Sequence, residues 1–350
     1  MSDHLEQSQK SGSQSTNVQA GQVVVHQNAL SYADVRDIAL DVFKNNFEQL
    51  TSVARESARN RAEEITELFL NELSRRNEAG LQKAETPEFQ MNLLTVQKEF
   101  ARTGDKDLGN LLVDLLIDVT KQEGRNVLQI VLSESLAVAP KLTVDQVASL
   151  ALIFFLRYIS MRNVIPLDEF QSFLSASVAP FGALASKKNT CYRHLEFAGC
   201  GTVGIGSISL DTAIQETYMG SFTKGFSKED LFQAVPEIAE FDLTQPAVND
   251  PAMFQFIAAN KSILGDALTA LGLAPAIIAK VNAFWRSKIF DKQEVRTKTI
   301  ELVPEMATVF DVWENSSMKS FTLTSVGIAI AHAALRSRTG LDADLSIWIN

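Results

Sequence analysis

The apolar positions between Ser31 and about Asn77 fall at helical spacing, with neither Pro nor Gly to interrupt them. Phe43, Phe47, Leu50, Ala54, Ala58, Ile65 and Leu68 form one stripe of three-, four- and seven-residue steps, which a helix of 3.6 residues per turn gathers on one face. Arg61 interrupts the row, and Arg55, Glu56, Arg59, Glu63, Glu64 and Glu67 occupy the opposite face. Ser31 suits the helix N-cap, with Asp34 at the third position where a carboxylate answers free amides. The pattern predicts an amphipathic helix over 31–78, about 68 Å long if unbroken at 1.5 Å per residue. Such a helix outreaches a compact domain. Either it breaks near Thr51-Ser52, or it projects and packs on other copies as a coiled coil. The small Ala54 and Ala58 allow close approach, so the stripe is assigned to oligomerisation and a homo-oligomer is expected.

Ahead of it, residues 1–20 are rich in Ser, Gln, Asn and Gly, a composition that cannot offset its ordering entropy, and are expected to be disordered. Val23-Val24-Val25 marks a short β segment at 21–28, which needs a partner strand. After a linker bracketed by Ala79-Gly80 and Thr86-Pro87, helical pattern runs through 86–186, punctuated by Gly104, Pro140 and Pro166. Thr143 followed by Gln146 is a capping box. Leu111, Leu112, Leu115, Leu116 and Val119 make an apolar face with Asp114 and Asp118 beside it. A second helical region, 187–350, contains a Gly-rich β segment at 199–208 and an alternating Leu345-Ser346-Ile347-Trp348-Ile349, read as a strand over 344–349 that pairs with 203–208 or with 23–25. The fold class is therefore mainly α: a long N-terminal amphipathic helix and a helical body with a small β element.

Composition narrows the function. The 350 residues carry a net charge of −10, with basic residues scattered, which disfavours a nucleic-acid surface. Two cysteines make no disulfide framework. The longest apolar runs, Val147 to Leu156 and Val326 to Leu335, fall short of the roughly 20 residues a bilayer requires. No transmembrane segment and no signal peptide are expected, and the expected compartment is the cytoplasm.

Candidate chemistry is sparse. Gly199, Gly201 and Gly204 match GxGxxG, but the run leads into another β-like stretch rather than a helix, so unusual dihedrals or close backbone approach explain it better. Cys191, His194 and Cys200 have ligand spacing for a zinc site, completed by Glu196 or water; the alternative is two buried cysteines. His332, inside an apolar run, reads as a satisfied core residue. There is no P-loop and no HExxH.

The run from Leu30 to Phe43 resembles the opening of an uncharacterised bacterial family named only by locus tags. So do His194 to Phe197 leading into Gly199-Cys200-Gly201, Ser320 to Ile330, and Asp344 to Asn350. The resemblance covers about 18–350 and implies no assigned activity. The helix pattern of Gly109 to Leu136 and Pro140 to Leu156 is similar to helical abortive-infection proteins of bacteria. Together these readings point to a non-enzymatic oligomeric sensor or scaffold of a bacterial accessory system, with antiviral (phage) defence as its setting and a phage or host protein as partner. Two alternatives stand beside it: an enzyme with a Cys/His, metal-assisted site near 191–206, and a membrane-acting effector.

Overall fold

The computed structural model describes residues 30–46, 51–341 and 343–349. The segments 1–20 and 21–28, and the stripe positions Phe47 and Leu50, lie outside them. Fifteen α-helices appear among the described residues. They are α1 Tyr32–Asn46, α2 Ser52–Arg76, α3 Pro87–Thr103, α4 Lys106–Lys121, α5 Val127–Val138, α6 Val144–Tyr158, α7 Leu167–Gly182 and α8 Asn189–Phe197. After them come α9 Leu210–Thr217, α10 Lys228–Ala234, α11 Lys261–Ala270, α12 Pro275–Arg286, α13 Lys292–Leu302, α14 Met306–Glu314 and α15 Ser325–Thr339. Four short strands accompany them: β1 Gly201–Val203, β2 Thr244–Pro246, β3 Phe254–Phe256 and β4 Phe321–Leu323. The protein is mainly α.

The helix expected over 31–78 is two helices, and α2 begins at Ser52, where a break was anticipated. The two run antiparallel. Tyr32 Oη donates to Glu67 at 2.5 Å, Arg36 pairs with Glu67, and Phe43 packs on Ala58, Ala62 and Ala101. Gln97 of α3 locks the hairpin from beneath, donating to the Ala39 carbonyl at 3.2 Å and to Thr66 Oγ1 at 2.9 Å. Folding back lets the chain cover its own stripe: Phe43, Ala58 and Ile65 are buried, Leu68 is half-buried, and Ala54 is exposed. A single unbroken 68 Å helix is therefore not formed, and Phe43, Ala58 and Ile65 are buried within the chain.

Local signals set the helical body. Thr86 Oγ1 accepts from the Phe89 N–H, and Pro87 opens α3. Gly104 closes it at φ 64°, the left-handed region glycine tolerates. Asp105 caps α4, and Gln146 accepts from the Thr143 N–H in the anticipated capping box of α6. Every α4 residue from Leu111 to Thr120 is buried, because α15 packs against α4, α5 and α6. One core therefore runs from Val35 to Ile349 across the division placed at 187. A second, smaller core lies within 219–290, where α10, α11, α12 and the β2–β3 hairpin surround Phe226, Phe256 and Trp285.

The β segment at 199–208 is realised as β1, but its partner is β4, in the antiparallel register Gly201↔Leu323 and Val203↔Phe321. The glycines serve close approach. A Cβ at Gly201 would meet the Phe321 ring, and one at Gly327 would overlap the Cys200 carbonyl oxygen. The strand expected over 344–349 is instead a 3-10 turn, Leu345–Ile347, capped by Asp344. Its apolar alternation also contains a four-residue step, and the turn uses it: Leu345 and Ile349 are buried while Ile347 is exposed. Trp348 Nε1 donates to the Tyr158 carbonyl at 2.9 Å, and His332 Nε2 bonds the Ala343 carbonyl at 2.7 Å, so this turn straps α6 to α15.

Candidate functional site

Cys191, His194 and Cys200 do not form the expected cluster. Cys191 and His194 lie one turn apart on α8, yet they face different surroundings. Cys191 is buried beside Ser149 and Ser186, and burial, with Asp145 nearby, pushes its thiol up to about 11. Cys200 is fully buried, and burial pushes it up to about 12. With no metal bound, both are therefore neutral thiols at physiological pH, and neither is a free thiolate nucleophile. His194 is exposed, and its Nδ1 lies 2.9 Å from Gln146 Nε2, which also donates to the Cys191 carbonyl. Among the described residues, no three His, Cys, Asp or Glu side chains are placed to hold a metal ion.

A different constellation stands at the C-terminal turn of α15. Arg336 is 8% exposed and makes a fork onto Asp118, with Nη2–Oδ2 at 2.8 Å and Nη1–Oδ1 at 3.2 Å. The same Nη2 donates to the Asp114 carbonyl at 3.2 Å and lies 3.4 Å from its carboxylate. Arg76 of α2 pairs with the same Oδ1 of Asp114, and Lys121 Nζ reaches Asp118 at 3.1 Å. Burial alone would raise the Asp118 pKa; the Arg336 charge and hydrogen bonds, helped by Lys121, outweigh it and hold the carboxyl below its usual range. Three helices, α2, α4 and α15, are thus joined by one buried ionic chain. Breaking such a chain on one side leaves an uncompensated buried charge, a strongly destabilising change.

Three cavities converge on this turn. One of about 520 Å³ lies between α4, α6, α7 and α15, lined by Leu111, Val147, Phe181 and Leu184 among others. A second of about 520 Å³ touches Arg75, Arg76, Asp114 and Arg336. A third of about 440 Å³ lies under the terminal strap, against Asp118, Lys121, Arg336 and Asp344. At the mouth of the first, Arg338 Nη2 bonds Asp107 Oδ2 at 2.7 Å. Arg336 lines two of these cavities while holding the chain together, so an occupant of either touches the group that joins the helices.

The sequence places Asp114 and Asp118 beside the apolar face of α4 without showing their partner. Their four-residue spacing inside a run of apolar residues was the available signal, since carboxylates are almost never fully buried unless paired. Arg336, immediately after the apolar run of α15, was the matching cation.

A helical body with a second small core and a buried ionic chain at its centre defines the molecule. Residues 29–349 match the model of a family designated only after a locus tag, and the chain belongs to that family. No curated protein and no solved structure matches it. No described helix is long and apolar enough to cross a membrane.

Proposed function

We propose that the protein is a non-enzymatic sensor: a small molecule enters the cavity between α4, α6, α7 and α15, and the buried ionic chain passes its presence to α2. The observation that carries this reading is the position of the C-terminal turn of α15, whose Ser337 and Arg338 line the cavity while the adjacent Arg336 grips α4. An apolar floor with a few convergent polar groups at its mouth is the usual build of a small-molecule site. A ligand that binds one arrangement of these bridged helices better than another shifts the population toward it. A role in bacterial defence would make the ligand a product of infection, but no residue of this site is specific to that setting.

The test is native mass spectrometry of the purified chain, alone and after exposure to a metabolite extract. The expected result is one small molecule per chain, released on denaturation and excluded by Leu184→Trp, which places an indole at the half-open edge of the cavity. A protein that takes up nothing, or uptake unchanged by Leu184→Trp, overturns the reading.

A further inference from the structure

The mouth of this cavity carries both signs of charge above an apolar interior. Arg338 and Asp107 face each other across it at 2.7 Å, with about a third of Arg338 and three fifths of Asp107 open to water at 34% and 61%. A pair so exposed is worth little by itself, so opening it is cheap. Asp105, at the same rim, uses Oδ1 to accept from the Leu108 N–H at 3.1 Å. Asn110, Thr143 and Ser337 add neutral donors and acceptors.

These features select among ligands. A simple carboxylate would take Arg338 only by displacing Asp107, and would then stand beside two uncompensated aspartates. A simple ammonium would gain Asp107 but strand Arg338 against another cation. A molecule carrying both charged groups on one carbon leaves neither group unpaired. Its carboxylate takes the Arg338 fork, its ammonium takes Asp107, and one exposed ion pair becomes two charge-assisted contacts. The remainder of such a ligand must be apolar, because the buried lining beneath is Leu111, Ala139, Ala148 and Phe181. A space of about 520 Å³ admits a branched or aromatic side chain together with its α-carbon groups.

We propose that the cavity binds a free α-amino acid with a large apolar side chain. This rests on the ligand-binding reading above and names the class of its ligand. The experiment is isothermal titration calorimetry on the full chain with L-phenylalanine, with phenethylamine, which lacks the carboxylate, and with 3-phenylpropionate, which lacks the ammonium. Wild-type protein is expected to bind L-phenylalanine saturably and each analogue at least about tenfold more weakly, the loss of one charge-assisted contact. Arg338→Gln weakens L-phenylalanine by a similar factor and leaves phenethylamine no weaker. Asp107→Asn weakens L-phenylalanine and leaves 3-phenylpropionate no weaker. Both substitutions are at water-exposed side chains, so folding is retained. Equal binding of the three compounds, or an Arg338→Gln protein that binds L-phenylalanine like wild type, overturns the assignment. If no amino acid binds while Leu184→Trp still excludes a co-purified molecule, the amino-acid class falls and the sensor reading stands. If neither result appears, both fall.

Discussion

The guanidinium of Arg336 is held by two acidic side chains of a single helix, Asp114 and Asp118, one turn apart on α4. Arg336→Met keeps much of the volume and removes the charge, leaving Asp118 buried with Lys121 as its remaining cation. The expected cost at neutral pH is about 3–5 kcal/mol, the penalty for breaking a buried ion pair from one side. The pH dependence follows from the sign of the Asp118 shift. In the wild type its folded pKa lies below the ordinary value, so the folded state binds fewer protons than the unfolded. That contribution is complete above the ordinary aspartate pKa of about 3.9 and is lost as the pH falls through the lower folded value. In Arg336→Met burial is opposed by Lys121 alone, so the Asp118 carboxyl pKa is expected to rise from its wild-type value and proton uptake to relieve the variant as pH falls. Urea unfolding of both proteins at about pH 7 and about pH 4.5 should therefore show the difference between them shrinking at the lower pH. A difference that stays constant would mean that no carboxylate is left unpaired. The aspartates themselves were legible, because their spacing put them against an apolar face. Their partner was not, because Arg336 lies more than two hundred residues further along the chain and no local pattern joins the two.

Among elements, most helix boundaries were legible because short-range chemistry sets them. Thr86 with Pro87 opens α3, Gly104 ends it, and the Thr143–Gln146 box opens α6, all from side chains within a few residues. The failures are elements whose state depends on what covers them. An apolar stripe is silent about whose surface it meets, so Phe43, Ala58 and Ile65 suited a stalk as well as a hairpin. The terminal Leu345 to Ile349 suited a strand until Trp348 found the Tyr158 carbonyl. The hairpin makes its own prediction. Phe43→Ala empties the pocket formed by Ala58, Ala62 and Ala101, at a cost of about 3 kcal/mol confined to the docking of α1. Hydrogen exchange should then show α1 amides losing protection while those of α4 and α6 keep theirs, with the mass of the particle unchanged. A fall in particle mass on this substitution would show that the stripe joins copies after all.

At the scale of the whole molecule, the two cores are the main fact that periodicity could not supply. The pattern after Leu210 reads as one more series of helices, and nothing local shows that 219–290 closes on itself before α13 returns to pack on α9. The smaller core centres on Phe256, whose ring lies 5.2 Å from both Phe226 and Trp285, with Trp285 Nε1 donating to Thr223 Oγ1 at 2.9 Å. Its seam with the main body mixes backbone bonds, Val164 N–H to the Ile257 carbonyl and Ala259 N–H to the Arg162 carbonyl, with side-chain bonds, Asn260 Nδ2 to the Thr217 carbonyl at 3.2 Å and Gln215 Nε2 to the Phe290 carbonyl at 2.7 Å. A unit this small buries a lower fraction of its surface and has little stability of its own to lose. Phe256→Ala removes about 3–5 kcal/mol from it, enough to unfold it at room temperature if the seam transmits little of that loss. Limited trypsin digestion of the variant should excise segments between Lys224 and Lys288 while the helices of the main body survive as a folded remainder. The amino-acid cavity lies in that remainder, so L-phenylalanine binding should persist. If the variant instead unfolds in one step, with the main body lost alongside residues 219–290, the seam couples the two cores as tightly as a single one, and the small core is a structural prop for the helices around α9 and α13.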